Sequence, residues 1–163
     1  MEIQSNHLFY SIKEIILQSR QKVYRMVNAT LLETYWSIGK IIIENEQNGN
    51  DKATYGKATL KTLAYQLSVE FGKGFDERNL NNMRAFYKAF PIWNALRTEL
   101  SWTHYRLLSR LDTETKRNYY LNESIQASWN SRQLQRQINS LAFERVLEHK
   151  IANDNQEPLS INN

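Results

Sequence analysis

The side chains best suited to ligand chemistry lie on one predicted helix in the middle of the chain. Apolar spacing predicts this helix from Glu77 to Phe90. Arg78, Asn82 and Lys88 fall on the side opposite its apolar face, and Arg84 lies at the edge. Arginine and lysine neutralise phosphates or bind guanine, and asparagine can pair with adenine. This face therefore suits a nucleic-acid duplex, although a helical hairpin with a solvated polar face would show the same pattern.

The preceding segment gives this helix the outline of a helix-turn-helix. A first helix is predicted from about Tyr55 to Phe71, Gly72 and Gly74 end it, and Asp76 is a good cap for the next one. In DNA-binding proteins of this kind the second helix enters the major groove. Three lysines on the first helix and the turn are expected to add phosphate contacts: Lys57, Lys61 and Lys73.

The distribution of charge supports a polyanionic partner more than the total does. The whole chain has a formal net charge of +4. Residues 52–150 contain 16 basic and 9 acidic side chains, which gives +7, whereas residues 1–51 and 151–163 are net negative. Clustered positive charge attracts anions where the total charge would not. Ordinary solvated helix faces with lysine and arginine would also give this distribution.

No arrangement of residues predicts catalysis, a metal site or a cofactor. The chain has no cysteine, and its three histidines lack the His-x-x-x-His spacing of a helical zinc site. Glu148-His149-Lys150 matches the Glu-x-Lys fragment of metal-dependent nucleases, with Asp112 as a conceivable partner acid. That chemistry needs carboxylates on adjacent strands, whereas this triplet ends a predicted helix. We therefore expect no catalytic residue, no metal ligand and no cofactor.

Composition favours an all-α protein. Five glycines and two prolines in 163 residues are too few for the many turns of an all-β fold. No apolar run reaches the roughly 18 residues that a membrane span needs, and the N-terminus does not resemble a signal peptide. We expect a multi-helix domain with a long N-terminal helix, a cytoplasmic location and no association with membranes.

The predicted helices have unequal lengths, and the first is too long for a small core. Helical spacing from about Ser5 to Asn45 predicts one helix roughly 60 Å long, so part of it should pack on another chain or project from the body. Further helices are predicted at residues 93–99, 102–111, 113–128 and 132–150, with Asp112 and Ser131 as caps for the last two. The last carries two successive apolar faces, as if it leaves the core to meet a partner. We therefore place one domain at residues 1–150 and a disordered tail or linker at 151–163.

Several segments in order resemble the YhcG-like N-terminal domain family, over about residues 10–147. They are Leu32-Glu33-Thr34-Tyr35-Trp36-Ser37-Ile38-Gly39-Lys40-Ile41-Ile42, Tyr55-Gly56, Gly74-Phe75, Asn79-Leu80, Met83-Arg84-Ala85-Phe86-Tyr87, Leu100-Ser101-Trp102-Thr103-His104-Tyr105, Leu107-Leu108, Arg117-Asn118-Tyr119-Tyr120 and Trp129-Asn130-Ser131-Arg132-Gln133-Leu134-Gln135-Arg136-Gln137-Ile138.

The resemblance implies a helical, winged-helix-like, DNA-binding part that usually precedes a PD-(D/E)XK nuclease domain. We expect the nuclease domain to be absent from this chain, so nuclease activity is not carried over and the chain is not expected to be an enzyme. Helices are expected where the wing would lie.

Two functions follow as hypotheses. The first is a non-catalytic DNA-binding module of a nuclease-associated protein. The second is an assembly module, which would form a homodimer through the long N-terminal helix or dock a nuclease domain or partner protein at the C-terminal helix.

Overall fold

The computed structural model describes residues 2–48 and 54–154 of the chain. These residues form seven α helices and one short 3-10 helix, and they contain no strand, which confirms the all-α prediction. The helices are α1 (Glu2–Gln47), α2 (Thr54–Phe71), α3 (Glu77–Ala89), α4 (Trp102–Leu108), α5 (Glu114–Gln126), α6 (Ser131–Asn139) and α7 (Ala142–Asp154), with the 3-10 helix at Trp93–Ala95. None of the described helices is long and apolar enough to cross a membrane.

The chain divides into two compact units, one ending at Trp102 and the other beginning at Thr103. The core of the first unit forms where the C-terminal half of α1 crosses α3, with α2 packed beside them. Ile42, Leu80 and Met83 are buried there. Because Leu80 and Met83 of α3 are buried at this crossing, it fixes which side of α3 faces outward.

A glycine permits this close crossing. A β-carbon on Gly39 of α1 would overlap the carbonyl oxygen of Met83 and lie 2.8 Å from its carbonyl carbon. Glycine in a helix interior costs about 1 kcal/mol relative to alanine, and here the missing side chain lets the two backbones approach. Gly39 is therefore part of the packing between α1 and α3.

Polar side chains of α1 also hold the chain that follows α3. The indole Nε1 of Trp36 donates to the carbonyl oxygen of Phe90 at 2.7 Å, just beyond the end of α3. The amide of Asn28 donates to the carbonyl oxygens of Thr98 and Leu100, each at 3.0 Å. These bonds satisfy backbone acceptors in a segment where the predicted helix at 93–99 is reduced to a 3-10 turn.

The second unit is built around four side chains from α4, α5 and α6 that are fully buried: Tyr105, Leu108, Tyr120 and Leu134. Tyr120 also orders the start of α7, because its hydroxyl accepts from the backbone N–H of Phe143 at 3.2 Å. His104 is buried, and its Nε2 lies 2.8 Å from the carbonyl oxygen of Trp129. His104 therefore ties α4 to the turn before α6.

Three predictions about helix ends are wrong. The helix predicted at 132–150 breaks into α6 and α7, because Leu141 adopts the left-handed conformation with φ 56°. The two apolar faces predicted for one helix therefore belong to two helices. Thr113, not Asp112, caps α5, and Asn130, not Ser131, caps α6 through a capping box with Gln133.

The C-terminal boundary also shifts. Helix α7 continues to Asp154, four residues into the segment predicted to be a disordered tail. The rest of that segment, residues 155–163, lies outside the described residues.

Candidate nucleic-acid interface

Helix α3 presents Arg78 and Lys88 of the predicted polar face to solvent. Asp76 caps the helix by accepting from the backbone N–H of Asn79 at 2.8 Å, and Leu80, Met83 and Phe86 are buried on the inner side. The preceding turn places Gly72 and Gly74 at φ 78° and 113°, which suits glycine. This part of the structure therefore has the helix, turn and capped helix that the sequence predicts.

The residues predicted as DNA contacts on α3 do not share one environment. Arg78 and Lys88 are exposed, as is the neighbouring Asn81. Asn82 is half-buried, and its Nδ2 is buried without a hydrogen-bond partner among the described residues. Arg78 and Lys88 are consequently the α3 side chains that are most available to a ligand.

Arg84 is held by α1. Its Nε lies 2.8 Å from both carboxylate oxygens of Glu46, and the two side chains are 35% and 20% exposed. A charge-assisted hydrogen bond of this geometry neutralises the guanidinium and fixes its direction. Arg84 therefore links α3 to the C-terminal end of α1 in the free protein, and a phosphate would have to compete with Glu46 for it.

A groove of about 330 Å³ brings some of the predicted residues together at this end of the first unit. It lies between the last turn of α1 and the first turns of α2 and α3, and Lys57, Arg84 and Asn81 line it. Glu46 and Glu77 line it as well. Because two carboxylates offset the two cations, the groove itself is a weak attractor for a polyanion.

The remaining predicted contacts lie outside that groove's lining. Lys61 is exposed on α2, and Lys73 is exposed in the turn between the two positive-φ glycines. Lys88 lines a separate shallow groove of about 270 Å³ with Arg84 and Glu46. The seven predicted residues are thus spread around the outer surfaces of α2 and α3 and do not converge on one point.

Helix α6 carries a second basic face. None of its residues was predicted from the sequence as a DNA contact. Arg132 and Arg136 lie one turn apart and are exposed, and neither forms an ion pair or side-chain hydrogen bond within the described part of the chain. Asn139 and Gln133 share this exposed side. No acidic residue lies between Glu123 and Glu144, and this is the sequence signal that could have revealed the face.

The α5–α6 connection has the same order of helix, short turn and capped helix. Four residues separate the helices, and Ser128 within that turn has φ 52°. Two features fix the turn. The backbone N–H of Trp129 donates to the carbonyl oxygen of Ser124 at 2.9 Å, and Asn130 and Gln133 form a capping box. Leu134 is fully buried on the inner side of α6. The buried inner side and the caps orient Arg132 and Arg136 outward.

The described residues contain no group of three acidic or histidine side chains that could hold a metal ion. Glu148, His149 and Lys150 are exposed on α7. Asp112 forms a surface ion pair with Lys116, four residues later, in which Asp112 Oδ1 lies 3.9 Å from Lys116 Nζ. The Glu-x-Lys match therefore sits on a helix, where the adjacent-strand geometry of metal-dependent nucleases does not occur.

Sequence similarity to known proteins places the chain in a family. Residues 11–145 match the family described as DUF1016 N-terminal domain. The chain is also 30% identical to the protein named "Putative nuclease YhcG" from Escherichia coli K12, in an alignment that covers 83% of this chain and 45% of that protein. The chain thus spans about half the length of this relative. No solved structure matches this chain significantly. Because the family match extends over most of the chain, the protein belongs to the DUF1016 N-terminal domain family.

Proposed function

We propose that this chain is a non-catalytic module that binds double-stranded DNA as part of a nuclease-associated protein. The observation that carries the proposal is that two capped helices, each following a helix and a short turn, present basic residues that form no ion pair among the described residues. These residues are Arg78 and Lys88 on α3 and Arg132 and Arg136 on α6. The name of the Escherichia coli relative supports the association with a nuclease.

The chemistry of these faces fits a mainly electrostatic mode of binding. Exposed arginines and lysines bind phosphates, and the neighbouring amides of Asn81, Gln133 and Asn139 can donate to base edges or phosphates. Lys57, Lys61 and Lys73 would add phosphate contacts from α2 and the turn. Asn82 and Arg84 would contribute only after rearranging, since the first is half-buried and the second is bound to Glu46.

Fluorescence anisotropy with a labelled DNA duplex tests the proposal. We expect measurable binding at low salt and a loss of affinity of at least tenfold between about 50 and 200 mM salt, because each neutralised phosphate adds about 0.9 to the slope of log K against log salt. The double substitution Arg78→Ala/Lys88→Ala should weaken binding. The control, Arg110→Ala/Lys150→Ala, also removes two positive charges from exposed positions, and it should reduce the affinity for the duplex much less.

Absence of binding at low salt, or equal effects of the two double variants, would overturn the assignment to α3. A single-stranded RNA that competes better than the duplex would transfer the proposal to RNA. Cleavage of the duplex by the purified chain with a divalent metal, lost in Glu148→Ala, would overturn the non-catalytic part.

An assembly module is the second candidate, and exposed apolar side chains favour it. They occur on the N-terminal half of α1 and on α7, where Val146, Leu147 and Ile151 are 39–54% exposed. Exposed apolar patches on this scale usually mark protein interfaces. Light scattering over a range of protein concentrations tests self-assembly, and a strict monomer at high concentration would remove that form of the proposal. Both roles are compatible, since many DNA-binding proteins are dimers.

A further inference from the structure

The N-terminal half of α1 carries a row of large apolar side chains on one face, with no cover among the described residues. Every residue from 6 to 27 is exposed. Eight of them form a row about 120° wide at roughly 100° per residue, which is the width of a helix face that normally packs on something. This row, called the N-terminal stripe below, consists of Leu8, Phe9, Ile12, Ile15, Ile16, Val23, Met26 and Val27, which are 46–63% exposed.

The stripe is not a continuation of the core face of the same helix. The C-terminal half of α1 is buried through Leu32, Gly39 and Ile43. At about 100° per residue those positions lie on roughly the opposite side of the helix from Ile12 and Val23. Extending the contact between α1 and α3 along the helix would therefore leave the stripe uncovered, and a separate surface is needed to bury it.

We propose that a second copy of this chain packs its own N-terminal stripe against this one. The proposal deepens the assembly role and does not depend on DNA binding. Eight half-exposed large side chains offer on the order of 800 Å² of apolar surface, which is about what each partner contributes to a stable protein–protein interface. A two-fold contact uses the same patch on both chains, so one stripe supplies both halves of the interface.

The order of side-chain sizes along the stripe favours an antiparallel pair. Leu8, Phe9 and the three isoleucines are at the N-terminal end, Val23, Met26 and Val27 are at the C-terminal end, and the small Ser19 lies on the same face between them. In an antiparallel pair that sets Leu8 opposite Val27, Ile12 faces Val23 and Ile16 faces Ser19, so most larger side chains meet smaller ones and the interface fills evenly. A parallel pair would set Phe9 against Phe9 and Ser19 against Ser19, with crowding at the N-terminal end and a gap near the middle.

The charges beside the stripe predict how salt affects the dimer. Lys13 and Arg20 lie along one edge and Lys22 along the other, whereas Glu14 is on the far side of the helix. Pairing two copies brings these like charges together, but exposed charges repel weakly compared with the gain from burying the stripe. Salt screens the repulsion, so the dimer should become tighter as salt rises. A polyanion or an acidic partner would show the opposite dependence.

Sedimentation equilibrium of the full chain tests the dimer. We expect the mass of two chains at micromolar concentration, with a lower dissociation constant at high than at low salt. Ile12→Glu/Ile16→Glu should raise the dissociation constant at least a hundredfold. The control, Gln18→Glu/Gln21→Glu, adds the same charge on the other side of the helix and should leave the dimer intact. Circular dichroism checks that both variants keep their helices.

Cysteine crosslinking tests the orientation, because the natural chain has no cysteine. In the antiparallel register that sets Leu8 opposite Val27, Ile12 faces Val23. A mixture of Ile12→Cys and Val23→Cys chains should therefore form disulfides between the two variants faster than either forms alone. Preferred Ile12→Cys self-crosslinking would overturn the antiparallel order. A monomer at every salt concentration, or equal masses for the two glutamate double variants, would overturn the dimer itself and leave the DNA-binding proposal standing.

Discussion

The α-carbon of Gly39 in α1 lies against the carbonyl group of Met83 in α3. A β-carbon at Gly39 would overlap that oxygen, lie 2.8 Å from the carbonyl carbon and lie 3.1 Å from the β-carbon of Tyr87. The obstructing atoms are mainly backbone and cannot rotate away. The position of α3 on α1, and with it the outward direction of Arg78 and Lys88, therefore depends on the absence of a side chain at residue 39.

Gly39→Ala should lower the free energy of unfolding of the first unit by about 1–3 kcal/mol, the usual cost of overpacking. Helix propensity alone would favour alanine by about 1 kcal/mol, so a net loss in urea unfolding isolates the steric effect. Gly56→Ala is the matched control, because its new β-carbon would lie 3.9 Å from Glu46, an ordinary contact. Equal stabilities of the two variants would show that α1 and α3 can separate at little cost.

The Arg84–Glu46 pair predicts that removing an acid will tighten DNA binding. Glu46→Gln removes a carboxylate from the groove and releases the Arg84 guanidinium, so affinity for a duplex should rise a few-fold at low salt. Arg84→Gln should lower affinity, since it leaves Glu46 unpaired beside the proposed surface. Both effects are measured by fluorescence anisotropy.

Glu44→Gln provides the control for this prediction. Glu44 is also on α1 and pairs with Lys40 at 3.9 Å, but it does not line the groove. If Glu44→Gln raises affinity as much as Glu46→Gln, the effect comes from net charge and not from Arg84.

Helix α6 predicts a second, separable contribution to DNA binding. Arg132→Ala/Arg136→Ala should lower duplex affinity about tenfold and reduce the salt slope by about 2, because two phosphate contacts are lost. The substituted side chains are exposed and alanine favours helix, so unfolding stability should stay within about 0.5 kcal/mol of the natural chain. An unchanged salt slope would remove α6 from the proposed interface and leave α3 to be judged separately.

The sequence predicts α1, α2 and α3 well because their signals are local. Apolar spacing, the glycines at 72 and 74 and the Asp76 cap act within a few residues of the helices they define. The break between α6 and α7 has no such signal. Leu141 takes a left-handed conformation that leucine usually avoids, and the gain comes from burying Ala142 and from the bond between Phe143 and Tyr120, which lie far apart in sequence.

The candidate site shows the same division between features with local sequence signals and features that depend on contacts far apart in sequence. Helical periodicity correctly places Arg78 and Lys88 on the outer face of α3, because the burial of Leu80 and Met83 fixes that face. It could not show that Arg84 pairs with Glu46, because that contact joins residues 38 positions apart. Nor could it show that the N-terminal stripe of α1 lies opposite the core face, because tertiary contacts decide which side of α1 packs on α3.

The ion pair between Lys116 of α5 and Glu144 of α7 predicts how stability changes with acid. Lys116 Nζ lies 2.5 Å from Glu144 Oε1, and this hydrogen bond lowers the pKa of Glu144 below its usual value and raises the pKa of Lys116. A carboxyl group whose pKa is lower in the folded state stabilises the fold fully above its unfolded pKa. That contribution is lost as pH falls through the lowered, folded-state pKa.

Glu144→Gln should therefore lower the free energy of unfolding at pH 7 by no more than about 1 kcal/mol, because both side chains are partly exposed. The difference from the natural chain should shrink below pH 4.5 and disappear once Glu144 is protonated in the folded protein. Urea unfolding at a series of pH values measures this convergence. Glu148→Gln, which changes an exposed position on the same helix that forms no ion pair among the described residues, is the matched control. A Glu144→Gln penalty that stays constant into acid would show that the pair contributes through packing and not through its charge.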